Sequence, residues 1–243
     1  MNNVKSKSFK FKAIAFIILS AIVVGLSINA TLKNNNIKNN AIVTNDKNEV
    51  TSNKREQIKN QQLNEVELKK QQQINQKQKS LETKWKIGYD QFFKREYDQA
   101  IQTERLIIQE DPTFYKAYAV EGIALAYNGN FKKGMQQIDK SLKLNPNYGY
   151  ARFNKALANE LYKHYDEAIR WYNKALEVEK FEWSYYGIAS IYGRKGDAPN
   201  TVKYLKLAIE INSSVRNTAK TEADFDNVRE SQEFKKLITS IKN

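Results

Sequence analysis

The chain has 243 residues, with 40 Lys and Arg against 27 Asp and Glu, one histidine and no cysteine. That inventory excludes disulfides, a lipid-modified cysteine, thiolate metal sites, a Cys-His dyad and a histidine-rich metal centre. The formal charge of +13 does not point to nucleic acid, because residues 81–243 carry 26 basic and 22 acidic side chains, leaving most of the excess upstream; nucleic-acid binders concentrate it on the folded surface.

In chain order, residues 1–12 form a basic flank with Lys5, Lys7, Lys10 and Lys12. Residues 13–32, AIAFIILSAIVVGLSINATL, hold no formal charge, and a 20-residue helix rises about 30 Å, the hydrocarbon thickness of a bilayer. A single transmembrane helix is expected. Lys33 and Lys38 are sparser beyond it, so the N-terminus is expected in the cytoplasm and the rest of the chain outside, at the cell membrane. The alternative is a signal peptide cleaved after Ser27 or Ala30, leaving a secreted protein. Either way the C-terminal part is exported.

Residues 33–52 are polar with scattered aliphatics and read as a flexible linker. Residues 53–80 lack Gly and Pro and are dense in Lys, Glu and Gln, so a polar spacer helix is expected there. Ile58, Leu63, Val66, Ile74 and, just beyond this helix, Leu81 fall at irregular helical spacings with no sustained heptad. It reads either as a solvated spacer or as a homo-oligomer contact.

From residue 81 onward a spacing of 34 takes over. Gly88, Gly122 and Ala156 share it, as do Tyr97, Phe131 and Tyr165, then Ala100, Gly134 and Ala168, and finally Ile108, Leu142 and Leu176. Two packed antiparallel helices per unit produce this period when units stack. Small residues let paired helices approach, and the aromatic set plugs the elbow between them. Asn128-Gly129 and Lys195-Gly196-Asp197 supply turns, and Pro112 and Pro146 end the second helices. The units are 81–114, 115–148, 149–182 and a fainter 183–213, where Thr201 follows Ala168 by 33. Residues 214–243 carry an apolar stripe, Phe225, Val228, Phe234, Leu237 and Ile238, expected as one capping helix.

YDEAIRWYNKALEVEK and AYNGNFKKGMQQIDKSLKLNP, within the third and second units, resemble the tetratricopeptide repeat. The resemblance implies an all-α fold, a right-handed α-solenoid of about four helix pairs, and protein or peptide partners. It also implies a concave groove lined by the first helices. Mapped residue by residue, the groove holds Glu82, Trp85, Tyr89 and Phe92, then Lys116, Ala119, Ile123 and Tyr127. Tyr150, Phe153, Asn154, Leu157 and Leu161 follow, then Trp183, Tyr186 and Arg194. Trp85, Ala119 and Phe153 stand where carboxylate-binding members carry lysine or other polar groups, so an apolar or aromatic partner segment is expected. Two alternatives stay open: these aromatics are core, or residues 53–80 fill the groove.

Little is available for catalysis. His164 sits in an elbow, Asp166-Glu167 open a helix and Asp224 and Asp226 fall in a cap turn. No phosphate-cradling glycine motif is present. The chain reads as a non-catalytic adaptor without cofactor or metal; the alternatives are a self-assembling scaffold and an accessory subunit of a membrane enzyme or secretion complex.

Overall fold

The computed structural model describes residues 47–239, with side chains from Ile58 onward. The chain divides into two units, whose described parts are residues 47–83 and 84–239. Ten α-helices and no strand occur among the described residues. The expected transmembrane segment, residues 13–32, and the basic flank lie outside them. Among the described residues no helix is long and apolar enough to cross a membrane.

The first helix, α1, spans Lys47–Phe93. It corrects the expected boundaries: the linker was to run to residue 52 and the spacer to end at 80, yet one helix crosses both. The cause is local, since no Gly or Pro interrupts the chain between Lys47 and Gly88 and strong helix formers dominate. Every described side chain from Ile58 to Ser80 is exposed.

Residues 84–239 stack helix on helix. The end of α1 meets α2 (Tyr97–Glu110), with Thr103 Oγ1 donating to Gln91 Oε1 at 2.8 Å and Gly88 against Glu104; α3 (Tyr115–Tyr127) pairs with α4 (Phe131–Leu144), α5 (Gly149–Leu161) with α6 (Tyr165–Leu176), and α7 (Glu182–Arg194) with α8 (Ala198–Ile211). The matched aromatics Tyr97, Phe131 and Tyr165 each begin the second helix of a pair. Phe131 packs on Tyr162 at 4.6 Å and on His164 at 5.0 Å between ring centroids, which joins one elbow to the next. Mid-stack, α3 is buried at all positions from Ala117 to Tyr127 because neighbours cover it on every side. Gly122 and Gly134 bring α3 and α4 into backbone contact: a Cβ on Gly134 would stand 2.6 Å from the Gly122 carbonyl oxygen. Asn154 Nδ2 donates to Ala119 O at 3.3 Å and Tyr162 Oη to Ala126 O at 3.0 Å, so successive units also share hydrogen bonds.

All four elbows turn through the left-handed region, at Arg95 (φ 67°), Gly129 (94°), Lys163 (64°) and Gly196 (75°). Only glycine does so without steric cost. Arg95→Gly and Lys163→Gly are each expected to stabilise the fold by roughly 0.5–1 kcal/mol, read as a raised urea midpoint at unchanged slope. A drop would show that the side chains themselves hold the turn.

Glu104 sits at the register position of Ile138 and Tyr172, and all three are fully buried. Both its carboxylate oxygens lack a hydrogen-bond partner, and Oε1 lies against Gly88, where a Cβ would collide with it. Burial, and secondarily repulsion from Glu121, raise its pKa well above the ordinary carboxylate range. The folded state thus holds this proton more tightly than the unfolded chain does. The associated stability is full below about pH 4 and is lost as pH climbs through the raised value. Glu104→Gln should match the parent near pH 4 and exceed it increasingly toward pH 8 in urea unfolding; parallel curves would refute the assignment.

The expected single capping helix is corrected to three short pieces: α9 (Val215–Thr221), a 3₁₀ turn (Ala223–Phe225) and α10 (Gln232–Thr239). Asp224 has to reach Arg194 on α7, and the Asp224 carbonyl oxygen would stand 2.6 Å from a Cβ at Gly193, so the chain folds back tightly. Phe225, Val228 and Phe234 are buried as one apolar cluster, with Phe225 and Phe234 at 5.4 Å. Arg229 ties the bend by donating to Lys220 O, Glu222 O and the Asp226 carboxylate.

Candidate partner-binding face

The face that could meet a partner is built from the first helices of the pairs, where positions one turn apart carry aromatic side chains. Trp85 and Tyr89 lie 5.1 Å apart on α1, and Tyr89 meets Tyr150 of α5 at 5.7 Å. Phe92 packs edge-on against Tyr127 of α3 at 5.4 Å. Phe153 contacts Phe181 at 5.4 Å and Tyr172 at 5.6 Å, while Tyr186 contacts Trp183 at 5.2 Å and Phe225 at 5.5 Å. Lys116 Nζ stands 5.2 Å above the Trp85 ring, a cation–π contact.

Exposure changes the expected picture of an open groove. Trp85, Tyr89, Phe92, Ile123, Tyr127, Tyr150, Phe153, Asn154, Leu157 and Tyr186 are buried, and Lys116 and Arg194 are part-buried. Ala119 and Trp183 are buried too. These side chains gather on one set of helices, and their burial is what the alternative that placed the aromatics in the core expects. Burial pushes up the hydroxyl pKa of Tyr89, Tyr127, Tyr150 and Tyr186, keeping these phenols neutral. Trp85 Nε1, Tyr89 Oη and Trp183 Nε1 are buried donors with no acceptor.

Arg194, expected on the groove, instead bridges three elements. It donates to Glu160 Oε1 of α5 at 2.8 Å and, through two nitrogens, to both oxygens of Asp224 at 2.8 and 2.7 Å. Glu160 also accepts from Tyr172 Oη at 2.5 Å and Ser190 Oγ at 3.1 Å. The two carboxylates raise the Arg194 pKa above its ordinary value against the opposing effect of burial. Sequence reading missed this pair because Arg194 and Asp224 are 30 residues apart, outside any local pattern. Among the described residues no group of three or more His, Cys, Asp or Glu is placed to hold a metal ion.

Paired helices stacked at a 34-residue interval define an α-helical repeat protein. A tetratricopeptide-repeat family model matches residues 150–181 and 184–214. An uncharacterized protein of Methanocaldococcus jannaschii, MJ0572, is 36% identical over 63 residues, which is 26% of this chain and 73% of that protein. By the family match, residues 150–214 carry tetratricopeptide repeats. The TPR repeat-containing protein MJ1428 of the same organism is 27% identical over 124 residues, 48% of this chain but only 20% of the relative. Among solved structures, TTC0263, a thermophilic TPR protein of Thermus thermophilus, superposes with TM-score 0.52 at 16% identity, over 57% of this chain and 78% of that one, which shows the shared fold.

Proposed function

We propose that the protein is a non-catalytic, membrane-tethered adaptor whose first-helix face binds an apolar or aromatic segment of a protein partner. The fold supports protein binding, and the mode rests on one observation: Trp85 Nε1, Tyr89 Oη and Trp183 Nε1 are buried donors lacking acceptors on a face otherwise made of aromatic rings. Each unpaired donor carries a desolvation penalty that a partner's backbone carbonyl would remove, while the rings supply apolar contact. A partner segment reaches them only by displacing their present cover. Tethering by residues 13–32, with the repeats outside the cytoplasm, would raise the effective concentration near envelope partners.

The test places a photoreactive phenylalanine at Tyr89 or at Trp183 in cells and a second at the exposed Leu106. Cross-links to one protein from the first two sites and not from the third support the reading. The same adducts from all three, or none, would defeat it.

A second reading, self-association through residues 53–80, draws on Leu63, Val66, Leu68 and Ile74, which stay 45–63% exposed on α1. Light scattering decides it. A mass independent of concentration rules the reading out, whereas a dimer dispersed by Leu63→Lys with Val66→Lys supports it.

A further inference from the structure

At the C-terminal end of the stack, α8, α9 and α10 leave an open cavity of about 420 Å³, within the size range of small-ligand sites. Its walls combine two chemistries. Val202, Ile209 and Leu237 form an aliphatic floor, and Val202 and Ile209 share one face of α8 because they are seven residues, about two turns, apart. Around them stand Lys206, Arg216 and Lys236, with Glu210 and Glu233. Lys206 and Glu210 approach only to 4.0 Å, a loose pair. Cations outnumber anions at the rim by three to two.

One atom selects the ligand. Arg216 lines the cavity, but its Nε is sealed from solvent and donates to nothing, so an acceptor reaches it only when the guanidinium swings toward the cavity; that guanidinium cannot lose its proton and is satisfied only by meeting an acceptor. An acceptor carrying negative charge gives the stronger bond, and a planar carboxylate fits the guanidinium fork. We propose that this cavity binds a small aliphatic carboxylate, with the carboxylate on Arg216 and the hydrocarbon tail over Val202, Ile209 and Leu237. The site is separate from the aromatic face, so its success or failure leaves the adaptor reading untouched.

The experiment titrates the purified full chain with carboxyl-¹³C octanoate, read by ligand line broadening, alongside octanol, which keeps the tail and lacks the charge. Saturable octanoate binding is expected, with octanol weaker by about fivefold or more and Arg216→Gln weakening octanoate about tenfold, as loss of one charged hydrogen bond implies. Leu237→Trp, which fills the floor, should abolish binding; circular dichroism confirms that each variant keeps its helices, and Arg216→Gln serves alone if Leu237→Trp does not. Absence of saturation, equal binding of octanol, or indifference to Arg216→Gln would overturn the proposal. So would tenfold tighter binding of the tripeptide Gly-Ala-Leu, which would make the cavity a site for a peptide terminus.

Discussion

Arg194→Leu is expected to destabilise the protein by about 3–5 kcal/mol, the typical cost of stripping a buried ion pair of one partner. The guanidinium bonds both Glu160 and Asp224, which come from α5 and from the cap. Its removal leaves Glu160, fully buried, with the neutral donors Tyr172 and Ser190 among its partners, and releases the turn that carries Phe225. Lysine would not substitute, because one ammonium cannot present the fork that grips Asp224 through both oxygens. Adding Glu160→Gln to Arg194→Leu should recover part of the loss, since the uncompensated charge is then gone. Urea unfolding of the two single variants and the double variant measures this; strictly additive losses would show that Arg194 and Glu160 do not stabilise each other.

Gly134→Leu is expected to cost about 3 kcal/mol or more, at the upper end of overpacking. The collision is with backbone, the Gly122 carbonyl and the Ala126 amide nitrogen, so no rotamer change relieves it. The helices α3 and α4 would have to part, uncovering Ile138 and the fully buried middle of the stack. Gly134→Ala should fall between parent and Leu in thermal midpoint. A Leu variant within about 1 kcal/mol of the parent, below the usual overpacking range, would mean that the two helices are not in backbone contact.

The candidate face and the fold were legible to different depths. The register of small and aromatic residues located the elbows, because each residue acts within its own helix or on the next helix in the chain. Tyr97, Phe131 and Tyr165 begin helices for that reason. The same register also carried Glu104 into the series with Ile138 and Tyr172, a substitution whose meaning appears only once the site is seen to be dry. The left-handed turns at Arg95 and Lys163 had no glycine to announce them.

For the aromatic face, local pattern supplied identity and helix position and nothing about cover, since exposure depends on what the rest of the chain brings to that side. By itself, then, the sequence determined the helical repeat, its period and family, because short-range sterics and local hydrophobic spacing are written residue by residue. The tertiary structure alone decided that Arg194 belongs to an internal ion network, that the cap breaks into three pieces, and that the aromatic face is closed. Those outcomes depend on groups some 30 residues apart sharing one low-dielectric interior, where the energy of a charge or a ring is set by its neighbours in space.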